Sequence, residues 1–396
     1  MVADKYDLRS KMMFGVEVYR CVWDERRARW RLSVRRLGTE EEWEHECRFL
    51  FSGAGLFAKP QELDVPGVER FEGVVMHSAR WQPEVQLEGK RVVAFGNGCT
   101  AAQIVPSIVC KTKHLTQIVR SKHWVYPSID GRMPEFAKAL LRSIPGLTQL
   151  QRFLVYYLAE VDFKGFKLTK SAADFRAKRR RKVEEYMRKT APAKYHDLLI
   201  PDFEVGCKRR IFDSHYLESL HAENLTLTNE KVAEILPNGL LMQSGEVVEA
   251  DVIILANGFV TNQYLGGVEL IGRNGETLQN HWKSFGGPEA YNCTSLNNFP
   301  NMFFLLGPNS ATGHTSAIMA IENAVNYSLR ILEPVLKGHV AVAEVKRSAE
   351  EDYSRRLQAA LNQRVWTGCN NWRTFGGRAC FLFGGIGSIG ADQLSP

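Results

Sequence analysis

The feature that most constrains the fold is a glycine-rich turn, GNGCTA, at residues 96–101. It directly follows the apolar run RVVAF at 91–95 and leads into AQIVPSIV, which has helical character. In this G-x-G-x-x-A pattern Gly96 permits a sharp turn, Gly98 lets the backbone approach a pyrophosphate, and the small Ala101 lets the helix pack on the sheet. The helix N-terminus then faces the phosphates. The pattern therefore favours a dinucleotide site over a purely structural glycine turn.

The next strand indicates which dinucleotide is bound. An NAD site usually carries an acidic residue about 20 positions on, where it bonds the ribose 2′-hydroxyl. Here HLTQIVRS at 114–121 ends in Arg120 and Ser121, followed by Lys122, with no Asp or Glu nearby. Cations and a hydroxyl suit a 2′-phosphate, so the sequence predicts NADPH. The alternative is that these are solvated charges at a strand end.

Apolar periodicity predicts two α/β parts with a helical segment between them. Strands are predicted at 14–35, 47–52, 91–95, 114–121, 225–228, 239–244 and 250–259. By contrast, 67–81 is predicted to be a loop. Residues 134–200 alternate apolar and basic residues at helical spacing, and a last helix is predicted from Ser316 to Leu336. The expected fold class is α/β, with doubly wound, Rossmann-like sheets and a helical insertion.

Composition excludes several classes of protein. The 396 residues are 44% hydrophobic and 24% charged, which is ordinary for a globular chain. The eight cysteines never show C-x-x-C spacing, which argues against a zinc knuckle or a dithiol redox centre. The charged N-terminus and the lack of long apolar runs lead us to expect a cytoplasmic protein without stable membrane insertion. The net charge of +7 suits a phosphate-bearing cofactor as well as nucleic acid.

A second motif lies upstream of the turn, in FEGVVMHSARW. Phe71, Gly73, His77 and Trp81 match F-x-G-x-x-x-H-x-x-x-W at every fixed position. A single histidine or tryptophan is usually structural, but four fixed positions before a Rossmann turn are hard to obtain by chance. With this motif the chain resembles the class B Baeyer–Villiger monooxygenases and, more widely, the flavin-containing monooxygenases. SGAGLFAKP, ADVIILANGF and NMFFLLGPNSATGHTS extend the resemblance over most of the chain.

This resemblance implies an enzyme that uses FAD, NADPH and O2 to insert one oxygen atom next to a ketone carbonyl, giving an ester or lactone. The partners would then be a small-molecule ketone and O2, with no nucleic acid and no metal. Many members of the family, including those of fungal-type secondary metabolism, act on bulky polycyclic ketones, so the resemblance is compatible with a role in such metabolism. Two alternatives stay open: oxidation of nitrogen or sulfur by the same class of enzyme, and a non-catalytic NADP-binding remnant.

The resemblance also implies roles for particular residues. Arg209, in GCKRR, would be the catalytic arginine, because the oxidant and its tetrahedral adduct with the ketone are both anionic and a fixed guanidinium stabilises them. Arg210 is the better candidate for pairing with a carboxylate. Val18, and backbone groups from Thr315 to Ala317, would meet FAD. NADP would be bound by Gly96, Asn97, Gly98, Cys99, Thr100, Ala101, Ala102, Gln103, Arg120, Ser121 and Lys208.

The implied domain boundaries follow the same pattern. Residues 1–88 would form part of the FAD-binding domain and its linker, 89–133 and 201–257 the NADP-binding domain, 134–200 the helical insertion, and 258–396 the C-terminal part of the FAD-binding domain. A first FAD-binding Rossmann unit is expected to be missing, because a βαβ unit needs about 30 residues or more before the first predicted strand. This predicts an incomplete flavin domain.

Overall fold

A computed structural model describes residues 2–55, 57–129, 131, 133–261, 264–310 and 316–368, and the backbone of 374–375 and 378–379. Within these ranges the strands are β1 (Val16–Asp24), β2 (Arg29–Arg36), β3 (Glu42–Cys47), β4 (Leu50–Ser52), β5 (Val74–His77), β6 (Arg91–Phe95), β7 (His114–Ile118), β8 (Val125–Tyr126), β9 (Ile211–Phe212), β10 (Leu225–Thr228), β11 (Val232–Leu236), β12 (Gly239–Met242), β13 (Val247–Glu249), β14 (Val252–Leu255), β15 (Glu269–Ile271), β16 (Met302–Phe304), β17 (Thr374–Phe375) and β18 (Arg378–Ala379). The α-helices are α1 (Val2–Lys5), α2 (Ala101–Ile108), α3 (Glu135–Ser143), α4 (Leu147–Asp162), α5 (Lys170–Thr190), α6 (His196–Leu199), α7 (Tyr216–Ser219), α8 (Leu278–Phe285), α9 (Ala317–Leu336) and α10 (Arg347–Leu361).

A parallel sheet with strand order β10-β7-β6-β14-β5 forms one centre of the described part of the chain. The central strands β6 and β14 are almost continuously apolar because both faces of the sheet are covered, as parallel sheets require. Side chains of α2, α5 and α7 pack on one face, and the antiparallel strands β11–β13 cover the other. The predicted strands at 91–95 and 225–228 are confirmed, and the strand predicted at 114–121 is observed but ends at Ile118.

The predicted loop at 67–81 is wrong. Residues Val74–His77 form β5, which pairs in parallel with β14 at the edge of the sheet. A Cβ on Gly73 would lie 2.3 Å from the backbone oxygen of Asp251, so glycine allows the two strands to approach. The strand has only four residues, and its stability comes from a partner far along the chain. Local sequence patterns do not contain that information.

A second region is built from the N-terminal strands and the C-terminal third of the chain. Its sheet has the order β15-β1-β2-β3, and its core contains Trp23, Trp30, Leu270 and Phe299. The indole Nε1–H of Trp30 donates to the backbone oxygen of Pro300 at 2.9 Å, which joins the two sequence segments. The predicted helix from Ser316 to Leu336 is confirmed, with Ser316 as the N-cap residue of α9.

The single strand predicted at 47–52 is also wrong. Strand β3 ends at Cys47 in the antiparallel sheet, whereas β4 begins at Leu50 and pairs in parallel with β16. Only Arg48 and Phe49 separate these two strands, which belong to different sheets. Because each strand is stabilised by a different partner, one apolar segment is divided into two strands.

The segment predicted to be helical contains α3, α4, α5 and α6, so its helical character is confirmed. The short strands β8 and β9 pair in parallel and bring the two ends of this segment together. Asp162, the last residue of α4, accepts hydrogen bonds from Arg179 and Arg210. In the described part of the chain, no helix combines the length and apolar character needed to cross a bilayer.

Candidate functional site

The turn after β6 has the backbone geometry that its glycines predict. Gly96 has φ of +114°, and a Cβ there would lie 2.4 Å from the backbone oxygen of Ala256. The N–H of Gly96 donates to Ile118 at 2.9 Å, and its carbonyl accepts from the Gln117 side chain at 2.8 Å. Protein groups alone therefore fix this turn, and a residue with a Cβ cannot take the place of Gly96.

The residues after the turn form an open N-terminus of α2. A Cβ on Gly98 would meet no atom within 4 Å, so the space beside this backbone is free. Ala101 and Ala102 are 1% exposed, because their small side chains let the helix lie close to the sheet. Thr100 makes no side-chain cap. The N–H groups of Ala102 and Gln103 donate to the backbone oxygens of Gly98 and Thr100, at 3.0 and 3.1 Å. This end of the helix therefore offers an anion the free space beside Gly98 and the positive end of the helix dipole.

Strand order places this turn at a particular position in the sheet. The chain passes from β6 outward to β7 and β10, and then returns to the other side of β6 with β14. The direction of winding reverses between β6 and β14, whose carboxyl ends lie at Gly96 and Ala256. Ligands of open parallel sheets bind in the crevice at such a switch point. Topology and glycine pattern thus indicate the same place.

Positive groups gather beside this crevice. Burial, and then the charge of Arg120, lower the pKa of Lys208, although Asp202 opposes the shift. Burial and the charge of Lys208 together lower the pKa of His123 to about 4. The ring of His123 lies 3.4 Å from the hydroxyl of Ser121. The structure therefore brings the predicted residues Arg120, Ser121 and Lys208 into one electropositive cluster, and adds His123.

The two arginines that follow Lys208 have different environments. Arg210 is largely buried and pairs with Asp162, with Nη1 and Oδ2 2.7 Å apart. Arg209 is exposed, and its side chain has no hydrogen bond or ion pair within the described residues. The expectation that Arg210 pairs with a carboxylate is confirmed. Of the two arginines, Arg209 is the one whose guanidinium is available to a ligand.

The motif from Phe71 to Trp81 connects strand β5 to the segment that follows β14. His77 is buried, and its Nδ1 accepts from the N–H of Ala79 at 3.0 Å. Its Nε2 must therefore carry the proton, which it donates to the backbone oxygen of Gly258 at 2.9 Å. His77 thus holds the end of β5 against the segment that leaves β14. Phe71 lies partly buried on the sheet, whereas Trp81 is 38% exposed.

The predicted flavin contacts lie in the second region. Val18 is half-buried in β1, where a bulge between Val18 and Arg20 interrupts the pairing with β2. Ala317 is the exposed first residue of α9, and Ser316 makes no side-chain cap there. Its first N–H groups lie at the end of the helix whose dipole favours negative charge. Thr315 falls outside the described residues.

Asn309 was not among the predicted site residues. It is 1% exposed and has φ of +63°, in the loop that follows β16. Among the described residues, neither its amide nitrogen nor its amide oxygen has a hydrogen-bond partner. A buried amide without partners is rare and calls for an explanation. The preceding Gly307-Pro308 pair predicts a turn at this position. It does not indicate that the Asn309 side chain is buried.

The described residues also enclose a cavity of about 200 Å³. It lies between β16, α9 and α10, and is lined by groups such as Ser295, Tyr327 and Lys346. None of the predicted site residues lines it. We therefore place the candidate site at the β6–β14 crevice and not at this cavity.

Comparison with known proteins decides the family. No family model matches the chain. A Baeyer–Villiger monooxygenase of Pseudomonas aeruginosa is 31% identical over 388 residues, covering 97% of this chain and 72% of the relative. One from Streptomyces coelicolor is 32% identical over 380 residues, covering 94% of this chain and 70% of the relative. The chain belongs to the Baeyer–Villiger monooxygenase family. The predicted enzyme class, a flavin-dependent monooxygenase, is thereby confirmed.

A fungal relative and solved structures are also similar to this chain. The FAD-binding monooxygenase tazF of Aspergillus terreus is 30% identical over 382 residues, covering 93% of this chain and 66% of the relative. The crystal structure of cyclohexanone monooxygenase from Rhodococcus sp. Phi1 bound to NADP⁺ gives a TM-score of 0.82 at 22% identity, over 96% of this chain and 78% of the other. OTEMO in complex with FAD and NADP gives 0.82 at 21%, with the same coverage. These similarities confirm the predicted fold class.

Proposed function

We propose that this chain acts as an FAD- and NADPH-dependent Baeyer–Villiger monooxygenase. A ketone, O2, NADPH and a proton would give an ester or lactone, NADP⁺ and water. Bound FAD would supply the activation of O2. The observation that carries the proposal is the loop at 206–210, where Lys208 joins the positive cluster beside the nucleotide crevice and the next residue, Arg209, is exposed without a partner. The family of the chain supports the same chemistry.

The residues of the crevice fit NADPH. The backbone at Gly98 and the first N–H groups of α2 would bind the pyrophosphate, from Asn97 to Gln103. Arg120 and Lys208 would bind the 2′-phosphate through their charges and Ser121 through its hydroxyl, because the two neighbouring cations disfavour each other and a phosphate dianion relieves this repulsion. No acidic residue stands beside Ser121 in the sequence to bond a ribose 2′-hydroxyl in its place.

The second region fits FAD. The two unpaired amide atoms of Asn309 can donate to and accept from a polar group of a ligand. The N-terminus of α9 at Ala317 favours negative charge nearby. Val18 would contribute its backbone beside the bulge in β1. These groups would orient the cofactor.

Arg209 would stabilise the negative charge that develops during oxygen transfer to the ketone. A guanidinium keeps its charge at every physiological pH and offers several N–H donors in one plane. Arg210 would not share this role, because Asp162 already binds it. The substrate we propose is a ketone of the kind processed in secondary metabolism. The similarity to a fungal FAD-binding monooxygenase supports this choice.

Substitution of Arg209 tests the proposed chemistry. In the flavin-loaded protein, Arg209→Ala should lower ketone oxygenation by about 10²–10³ while NADPH oxidation and O2 consumption continue, because the positioned cation is lost. Arg209→Lys should restore little activity, since an ammonium lacks the planar donor fork. The measurement is ester formed for each NADPH consumed.

Arg181→Ala is the matched control, since Arg181 is an exposed arginine of α5 that forms no ion pair with any of the described residues. This variant should resemble the parent protein. Near-normal ester formation by Arg209→Ala would reject the proposed role and leave Arg210 as the next arginine to examine.

A further inference from the structure

The hairpin formed by α3 and α4 has an unusual surface. Neither helix contains a buried residue. Instead, large apolar side chains face solvent, among them Phe136 at 75% exposure, Phe153 at 59% and Leu158 at 65%. The full set, called here the hairpin surface, is Phe136, Leu140, Ile144, Leu150, Phe153, Leu154, Val155, Tyr156, Tyr157 and Leu158. Contiguous apolar surface of this kind marks an interaction with a membrane or another protein.

The distribution of these side chains around α4 limits what can cover them. Residues 153–158 read FLVYYL, and all of them are exposed. Consecutive residues of a helix are about 100° apart, so this run surrounds the helix axis completely. A protein partner that binds along one helix face would leave the opposite side chains in water. A lipid layer can surround the helix, which is the environment expected for a helix that is apolar on all sides.

The charge of the hairpin also favours a lipid bilayer as the partner that covers it. Between Phe136 and Ala159 the sequence has no Asp or Glu, but it contains Lys138, Arg142 and Arg152. Lys138 pairs with Glu135 at 2.6 Å, whereas neither arginine has an ion pair within the described residues. Basic side chains beside an apolar helix bind the anionic headgroups of a bilayer. Tyr156 and Tyr157 add rings with an apolar body and a polar tip, which favour the boundary between lipid and water.

The hairpin is also fixed to the rest of the protein. At the end of α4, Asp162 is 16% exposed and pairs with Arg210, which is also 16% exposed, and with Arg179. A largely buried ion pair between two elements holds their relative position, because separating it would leave an uncompensated charge. The apolar run is therefore presented on a fixed support.

From these observations we propose that the α3–α4 hairpin binds the surface of an anionic lipid bilayer without crossing it. The apolar side chains would enter the boundary between headgroups and acyl chains, and Arg142 and Arg152 would contact the headgroups. This inference is independent of the proposed chemistry, because it depends on no cofactor and on no residue of the nucleotide crevice.

Vesicle flotation tests the proposal. The purified chain should float with phosphatidylcholine vesicles that contain phosphatidylserine, and less with phosphatidylcholine alone. A triple variant, Phe153→Ser with Leu154→Ser and Leu158→Ser, should bind about tenfold less or weaker still, because the inserted apolar area is lost. These side chains are exposed, so the variant should keep the melting temperature of the parent protein.

Two further variants make the test specific. Leu37→Ser with Val247→Ser removes side chains of comparable exposure, 58% and 48%, from other elements and should leave vesicle binding unchanged. Arg142→Gln and Arg152→Gln should each weaken binding to phosphatidylserine vesicles about fivefold, with little effect on phosphatidylcholine alone.

Three results would overturn the proposal. The first is a parent chain that does not float with phosphatidylserine vesicles. The second is a triple serine variant that binds them as well as the parent. The third is lipid-free self-association of the parent that the triple variant abolishes in sedimentation experiments, which would make the hairpin surface an interface between copies of this chain.

Discussion

The turn at Gly96 and the loop that follows β16 are both proposed to hold a nucleotide, but the protein satisfies their polar groups differently. At the turn, the N–H of Gly96 donates to Ile118 and its carbonyl accepts from Gln117, so both backbone groups of this glycine have protein partners. In the loop, the buried amide of Asn309 has none. The first site is formed by the fold itself. The second contains a group whose hydrogen bonds the protein does not supply.

The same contrast holds for charge. Beside the turn, burial and the nearby charge of Arg120 lower the pKa of Lys208. In the loop region, the proposed contacts are an amide and backbone N–H groups, which carry no formal charge. A charged cluster distinguishes between ligands by their charge, whereas neutral groups distinguish them by hydrogen-bond geometry. The two sites should therefore respond to different substitutions.

The largest effect is expected at the turn itself. Gly96→Ala should destabilise the fold by about 3–5 kcal/mol, the sum of a strained backbone at positive φ and a Cβ that meets the Ala256 carbonyl. Chemical denaturation measures this change. Gly98→Ala is the matched control: no atom lies within 4 Å of its Cβ, so its stability should stay close to that of the parent. Its affinity for NADPH should still fall, because the Cβ occupies the space proposed for the pyrophosphate. Equal stability of both variants would show that the fold does not fix the turn.

Specificity for the 2′-phosphate is the next largest effect. Arg120→Ala should weaken NADPH binding by about 1.5–3 kcal/mol and leave NADH binding nearly unchanged, since only NADPH carries the extra charge. Calorimetric titration of both nucleotides gives the two affinities. Lys113→Ala removes an exposed cation next to the opposite end of β7 and should change neither. A loss of the same size for NADPH and NADH would place Arg120 away from the 2′-phosphate.

Two asparagines give a direct test of the loop. Asn301 and Asn309 are each 1% exposed and have φ of +57° and +63°, but the amide oxygen of Asn301 accepts from Ala343 at 2.8 Å. Asn301→Gly should therefore cost about 1–3 kcal/mol of stability, through the lost hydrogen bond and the partner left unpaired. Asn309→Gly should leave the melting temperature of the flavin-free protein unchanged or raise it, yet lower the affinity for FAD. If Asn309→Gly destabilises the flavin-free protein as much as Asn301→Gly does, the Asn309 side chain stabilises the protein without FAD. The proposed difference between this loop and the turn at Gly96 is then wrong.

The smallest effect concerns pH. Burial and the Lys208 cation lower the pKa of His123 from 6.5 to about 4. Between these two pH values the unfolded chain binds a proton that the folded chain does not, so stability falls as the pH drops from 6.5 to 4. We expect about 1–2 kcal/mol from this residue, less than the full shift because its surroundings are partly solvated.

Denaturation at several pH values measures this dependence. His123→Asn should flatten it, whereas replacement of the exposed His339 by Asn should not. Because a bound 2′-phosphate would favour the charged imidazole, NADP⁺ should also reduce the loss of stability at low pH. If NADP⁺ does not change the dependence of stability on pH, the cluster of His123 and Lys208 does not bind the 2′-phosphate.

Several features of the molecule were determined by the sequence alone. The turn at 96–101 was predictable because its requirements are local: a positive φ at Gly96, space beside Gly98 and a small Ala101 against the sheet. The helices within 134–200 and the helix from Ser316 were predictable for a similar reason, since helical hydrogen bonds join residues four apart. The four fixed positions of the Phe71–Trp81 motif indicated the family before any contact was known.

Other features were decided only by the tertiary structure. Strand β5 depends on pairing with β14, and the bond from His77 to Gly258 spans 181 residues of sequence. The adjacent Arg209 and Arg210 have different proposed roles only because Asp162 forms an ion pair with Arg210. The burial of Asn309, and the exposure of an apolar run on α4 that resembles a core segment, follow the same rule. Burial and pairing depend on which distant segments pack together, and a local pattern does not specify its partner.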